Sequence, residues 1–251
     1  MSERFLVLQH VAVEHPGIFR DFMRADGIAW DTVELDTGGT IPSLNAYSAL
    51  IVMGGPMDVW EEDRLPWLRT EKAAIRRWVE ELRRPYLGVC LGHQLLAAAL
   101  GEPVRSGARA EVGVMSVALT AAGRAHPFFA GIEDHFPCLQ WHGAEVVTAP
   151  SGSAVLAASP DCAIQALAYG EHALSIQFHV EILESTVDEW GAIETYRTAL
   201  ETTLGADGLT RFREAAAAHM GRFNVLAKRL YDNWRQSAFA ASAAPETQSG
   251  A

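Results

Sequence analysis

The sequence predicts an α/β protein with an open, mostly parallel twisted sheet, helices on both faces, an antiparallel extension and a C-terminal helical appendage. Three observations carry the prediction. Through the first hundred residues short apolar runs alternate with helix-period segments, the order that builds a parallel sheet. Several runs are apolar throughout, as strands covered on both faces are. After Gly101 the pattern becomes a series of strand-like pieces separated by turn residues, and from about Ile182 it becomes helical.

Taken in order, "RFLVLQH" reads as a short apolar strand and "PGIFRDFMRADG" as a proline-initiated amphipathic helix that stops at Gly27. "WDTVEL" is a second strand, which completes a β-α-β order. "YSALIVMGGP" is a third, fully apolar strand running into a glycine pair. Leu68, Ile75, Trp78, Val79 and Leu82 then share one helical face. "PYLGVC" has the length and apolarity of a buried parallel strand, and "LGHQLLAAALG" has helix formers and a terminal glycine. "GVMSVALT", "FPCLQWHG", "SAVLAAS", "CAIQALAYG" and "ALSIQFHVE" are the later strands, with "YGEH" as a hairpin turn. The helical stretch from Ile182 to Phe239 is interrupted at "LGADG", and the polar tail "ASAAPETQSGA" is expected to be disordered.

Composition narrows the function classes. The 251 residues are 49% hydrophobic, enough for one large domain or a domain plus an appendage. The formal net charge is −11 and no basic run tracks a phosphate backbone, so nucleic acid is not an expected partner. No window reaches the roughly 18 uninterrupted apolar residues of a membrane span, and the apolar core of "MSERFLVLQHVAVEHPG" is too short for a secretory signal. No membrane partner and a cytoplasmic location are therefore expected. Cys90, Cys138 and Cys162 are odd in number and lack any C-x-x-C spacing, which argues against a disulfide framework and a zinc cluster.

The stretch "RPYLGVCLGHQLLAAALG" places Cys90 where the period changes from strand to helix. A residue on such a turn projects above the sheet, and its crowded backbone leaves positions two residues away to glycine, here Gly88 and Gly92. The helix that follows aims free N–H groups and its positive end at the thiol. Cys90 is thus either a nucleophile or a small buried hydrophobe at a β-α junction. A nucleophile requires a base and an orienting acceptor. In "LSIQFHVE", His179 and Glu181 are two apart, and in a strand such residues project to one face. The alternative for that pair is a surface ion pair at a sheet end. His93, on the helix after Cys90, is expected to pack against the sheet. Cys138 and Cys162 lie in apolar strand patterns and read as core. His10, Glu14 and His15 share a loop whose place after the first strand favours pocket lining over metal binding. Glu61, Glu62 and Asp63 read as a solvated or partner-docking loop.

"GVCLGHQ", "IQFHVE" and the upstream "VMGGP" together resemble the class I glutamine amidotransferases, the Cys-His-Glu family that hydrolyses glutamine to glutamate and ammonia. "LQH" with "HPG", "GGPMDVWEEDRLPWLRTE" and "QWHG" look like the free-standing, GMP-synthase-like subgroup. The resemblance covers roughly residues 4 to 185. It implies an amidotransferase-like domain over 1–185, a helical extension over 186–239 and a tail over 240–251. It also implies that Cys90 is the nucleophile, His179 the general base and acid, and Glu181 its orienting partner. The N–H groups of Gly55 and Leu91 would form the oxyanion hole. Gly54, Gln94, Trp141 and His142 would border the substrate.

Two positions depart from the family pattern. Val180 stands where a proline is usual, with a small effect expected, and Ala144 stands where relatives often carry an acidic residue. The reaction implied is acyl transfer through a cysteine thioester, with no metal and no cofactor. Glutamine is the first substrate, with ammonia passed to a separate synthetase subunit, because the chain has neither a P-loop nor a dinucleotide fingerprint. A γ-glutamyl peptidase or hydrolase acting on another γ-glutamyl small molecule is the second reading. The third is a non-catalytic binding or regulatory protein. Whether the aromatic extension packs on its own domain or on a second copy stays open.

Overall fold

The structure is a computed structural model and describes residues 3–243. Strand β1 (Arg4–Gln9) leads through a loop to helix α1 (Phe19–Ala25), β2 (Ala29–Glu34) and β3 (Ala49–Val52). Helix α2 (Trp67–Arg76) continues as a π-helical stretch over Arg77–Leu82 and buries Leu68, Ile75, Trp78 and Val79. Strand β4 (Tyr86–Val89) turns directly into α3 (Leu91–Ala99). The second half holds β5 (Val104–Leu119), α4 (Ala121–Ala125), β6 (His135–Val146), β7 (Ser153–Ala158), β8 (Ala166–Tyr169) and β9 (Ala173–Ile176). Helices α5 (Thr186–Gly191), α6 (Glu194–Leu204) and α7 (Gly208–Ala243) follow. Residues 244–251 of the expected tail lie outside the described residues, and α7 runs past residue 240, the first position of that tail.

One nine-stranded sheet has the order β2-β1-β3-β4-β9-β8-β7-β5-β6. The pairs from β2 to β9 are parallel and those from β9 to β6 antiparallel. The mostly parallel α/β sheet with an antiparallel extension is therefore the observed architecture. Along β1, Phe5 and Val7 face one core with α1 and the second half of α7, whereas Leu6 and Leu8 face another with α2 and α3. Period-2 alternation thus serves two buried faces, which is why the run is apolar throughout.

Two details differ from the sequence reading. "GVMSVALT" is only the second half of a longer β5, which is irregular between Ser106 and Glu111 and pairs with β6 along most of its length. "ALSIQFHVE" is not one strand. β9 ends at Ile176; Gln177 N still donates to Gln165 O, just before β8, at 2.8 Å, and by His179 the chain has crossed to β6. His179 forms an isolated bridge with Leu139, the two residues exchanging N–H···O bonds of 2.8 and 3.1 Å.

The C-terminal helices pack on this same chain. Trp190, Tyr196, Leu200, Phe212 and Phe223 form a third apolar cluster with Val112, Leu139 and Trp141 of β5 and β6. Further along α7, Leu230, Tyr231 and Trp234 enter the core under β1 and β4, and Trp234 Nε1 donates to Tyr86 O at 2.8 Å. No helix among the described residues is long and apolar enough to cross a membrane.

Candidate active site

Cys90 caps α3 with φ +52° and ψ −104°, one of two non-glycine residues in the described chain with positive φ. Such a backbone costs of order 1–3 kcal/mol and persists only where its surroundings impose it. The surroundings are visible. Cys90 N donates to Ile176 O at 2.8 Å, and Gly92 N donates to Met53 O at 3.1 Å. A Cβ on Gly92 would stand 2.1 Å from Val52 O, and one on Gly88 would stand 2.7 Å from Gly92 O. Both glycines are there for close approach of strand, turn and helix, and the turn lifts Cys90 to the C-terminal edge of the parallel strands.

Three elements bring the base to the thiol. His179 Nδ1 lies 2.7 Å from Glu181 Oε1, and Val180 N donates to Glu181 Oε2 at 3.0 Å. All of these groups are buried. The carboxylate accepts, so Nδ1 carries a proton. Nε2 has no hydrogen-bond partner among the described residues. Burial works to lower the His179 pKa, but Glu181 and Cys90 outweigh it and hold the ring well above its usual value. The edge of Trp190, on α5, packs against the imidazole with ring centroids 4.7 Å apart. Glu181 is itself clamped from the N-terminal loop: Ile18 N donates to Glu181 O at 2.8 Å, and Gly17, at φ +50°, leaves room for that carbonyl.

A cavity of about 260 Å³ opens over Cys90, lined by Gly55, Gln94, Trp141, His142, Ala144 and, from α6, Thr195, Tyr196 and Ala199. Asp58 is its acidic lining side chain, and burial together with Glu61 raises its pKa. Gly55 lines the cavity, and Leu91 is the first residue of α3, where backbone N–H groups have no acceptor within the helix. Gly54 is buried and turns its carbonyl away to His10. Gln94 Nε2 donates to Ala144 O at 3.2 Å and to Gln177 Oε1 at 3.1 Å. Trp141 packs among Trp190, Tyr196 and Phe212, so it serves the third core as well as the cavity wall. His142 Nδ1 donates to Ala144 O, and Nε2 meets Glu111 Oε2 at 3.0 Å.

Four features escaped sequence reasoning because their partners are distant in the chain. Gln177 Nε2 approaches Cys90 Sγ at 3.5 Å, which ties the thiol through Gln177 to Gln94. Tyr196 donates to Glu14 Oε1, while Glu14 Oε2 has no partner among the described residues; burial raises the Glu14 carboxyl, against the opposing effect of His179. Glu111, His142 and Cys162 place donor atoms within 4.8 Å of one another. Here Glu111 Oε2 already takes His142 and Gln165 Nε2, and burial pushes the Cys162 thiol up to about 12, so the cluster is a polar network beneath the cavity. His10 bridges Gly54 and Glu71. The strings "LQH", "GGPMDVWEEDRLPWLRTE", "QWHG" and "IQFHVE" contain His10, Glu71, His142 and Gln177, but nothing in them showed which would meet.

The remaining candidates are placed elsewhere. His93 is pinned by Ser175 Oγ at 2.9 Å and Ile164 O at 3.1 Å, and burial pulls it down to about 3, so it is neutral. Cys138 is buried and its thiol raised by burial. His15 faces the Gly17 amide and Arg20. Glu61, Glu62 and Asp63 form ion pairs with Arg64, Arg69 and Lys72 on the surface.

Residues 20–190 match the family model described as glutamine amidotransferase class-I. The chain is 38% identical over 152 residues to a glutamine-hydrolyzing GMP synthase of Thermomicrobium roseum, across 61% of this chain and 27% of that protein. The chain thus spans about a quarter of that relative's length. It is 32% identical over 143 residues to one subunit of the glutamine-hydrolyzing GMP synthase of Saccharolobus solfataricus, across 57% of this chain and 71% of that polypeptide. A crystal structure of a glutamine amidotransferase from Thermotoga maritima superposes with a TM-score of 0.83 at 28% identity, across 94% of this chain and all of that one.

Proposed function

The chain belongs to the class-I glutamine amidotransferase family, and from that premise we propose that Cys90, His179 and Glu181 hydrolyse the side-chain amide of glutamine to glutamate and ammonia. The observation that carries the proposal is Cys90 on its strained turn at the cavity, together with a buried His179 whose Nδ1 is held by Glu181 and whose Nε2 is left without a partner among the described residues.

The raised His179 keeps the imidazolium that a Cys90 thiolate needs beside it. The thiolate attacks the amide carbon, forming the S–C bond as the carbonyl π pair moves to oxygen. Gly55 N–H and Leu91 N–H receive that oxyanion. Collapse breaks the C–N bond, and ammonia leaves with the proton from His179 Nε2. Neutral His179 then takes a proton from water, whose oxygen attacks the thioester, and the S–C bond breaks to give glutamate and the thiolate. Glu181 holds the ring in the tautomer both steps require. Asp58 is the lining carboxylate suited to the substrate's ammonium group, with Gln94, Trp141 and His142 as the facing wall.

The ammonia passes to a separate synthetase. This finer reading is supported by the relative that is, by its name, one subunit of a GMP synthase. Purified protein is expected to release ammonia from glutamine, and Cys90→Ala to abolish the release. Glutamate released from γ-glutamyl peptides but not from glutamine would assign the substrate to the γ-glutamyl hydrolases instead. A glutamine-mimicking electrophile that forms no adduct at Cys90 would sink both.

A further inference from the structure

We propose that His10 and Glu71 form a positioning pair that fixes the Gly54–Gly55 peptide plane, and with it the direction of one oxyanion-hole N–H. The inference deepens the functional reading above and rests on it for the role of that N–H.

His10 Nδ1 lies 2.8 Å from Gly54 O and Nε2 lies 2.9 Å from Glu71 Oε1, with His10 and Glu71 wholly buried. The carbonyl oxygen of Gly54 has no proton to give, so Nδ1 carries the hydrogen between them, and Glu71 beside Nε2 favours a second one, which charges the ring. Burial opposes that charge, and Glu71, then Gly54 O and Glu14, overcome it, leaving His10 above its usual pKa. The ring is further held by stacking on Trp67, centroids 5.6 Å apart at 19°.

The carbonyl of Gly54 and the N–H of Gly55 belong to one planar trans peptide, so anchoring the oxygen aims the hydrogen the opposite way. A peptide between two glycines has no Cβ on either side to resist rotation. Packing supplies part of the missing constraint: Glu14 Oε2 fills the space a Gly54 Cβ would take, and a Gly55 Cβ would stand 2.9 Å from His10 Cβ. The Nδ1–H donor of His10 supplies the rest. Rotating the plane would replace N–H···O=C by two donors pointing at each other and strand a buried carbonyl. Glu71 acts from α2, on the far side of the ring from the chemistry, so it reaches the oxyanion only through His10 and the peptide.

Two variants separate positioning from packing. Glu71→Gln keeps the shape and one acceptor but removes the negative charge that favours a proton on His10 Nε2. The double variant His10→Phe/Glu71→Leu replaces the pair by apolar groups of similar form and leaves no buried charge unpaired. The glutaminase kcat is expected to fall, by up to about 10²-fold in the double variant, the range for losing one oxyanion donor, with KM within about twofold. Alkylation of Cys90 by iodoacetamide, which develops no oxyanion on a carbonyl, is expected to keep its wild-type rate. Crystal structures of the double variant are expected to hold the 54–55 peptide rotated or in two orientations. An unmoved peptide overturns the inference whatever the rate does. So does a fall in kcat matched by an equal fall in alkylation, which reports a damaged site. A wild-type chain that alkylates at Cys90 yet releases no ammonia from glutamine defeats the functional reading instead, and the peptide orientation then decides this one.

Discussion

At His179 burial is opposed by the charges of Glu181 and Cys90. Its pKa is raised above the value in an unfolded chain, so the stability it contributes is fully present below that unfolded value and is lost as pH rises through the folded one. Glu181→Gln removes the counter-charge while keeping the shape. The basic limb of the kcat/KM profile is expected to move to lower pH, and kcat to fall by about 10²–10⁴, the range for general acid–base assistance. A pH–rate series on both proteins checks this; a basic limb that stays in place would contradict the assigned role of Glu181. Val180, in a place where proline is usual, donates its N–H to Glu181 Oε2. Val180→Pro deletes that donor, and urea unfolding is expected to show a loss of about 1.5–3 kcal/mol, the range for hydrogen bonds to charged groups. His179 and Glu181 meet at 2.7 Å as the sequence led one to expect, but β9 stops short of them at Ile176. His179 sits at an isolated bridge on β6, and the two side chains do not share one face of a continuing strand.

At the scale of elements, the β4–α3 turn and helix α7 make contrasting use of glycine. Gly92 sits against Val52 O, and its own N–H is already given to Met53 O, so the helix cannot shift away to admit a methyl group. Gly92→Ala is expected to lower the thermal midpoint sharply and to abolish activity. Gly221 lies within α7 with nothing near a Cβ and no positive φ, so Gly221→Ala is expected to stabilise by roughly 0.5–1 kcal/mol. Opposite signs for the two changes, read by thermal unfolding, are the check. The strand-turn-helix was legible because glycines stand two positions either side of Cys90 where the period changes, although the atoms that crowd Gly92 come from β3. The length of β5 was not, since its first half lacks an apolar period and is held by pairing with β6.

Over the whole molecule, α7 joins two cores: Phe212 and Phe223 pack under β5 and β6, and Tyr231 and Trp234 under the parallel strands. Helix α6 contributes Tyr196 to the cavity wall and to Glu14. A chain ending near residue 185 would expose both apolar faces, strip Trp190 from His179, and leave Glu14 buried without its hydroxyl partner. We expect that truncation to be poorly folded, with dye-binding apolar surface and no cooperative thermal transition, while Trp234→Ala alone costs about 3–5 kcal/mol. A cooperative, active 1–185 fragment would contradict this and would establish the extension as separable.

The sequence by itself determined the alternating order of strands and helices, the parallel sheet and the sharp turn that carries Cys90. Those depend on periodicity and on short-range steric demands, which are written locally. Tertiary structure alone decided where β9 ends, which amide touches Cys90, that α6 closes the cavity, and that Glu71 stands behind His10, 61 residues away in the chain. Burial made those contacts matter: each polar group taken out of water had to find its partner among residues that only the fold brings within reach.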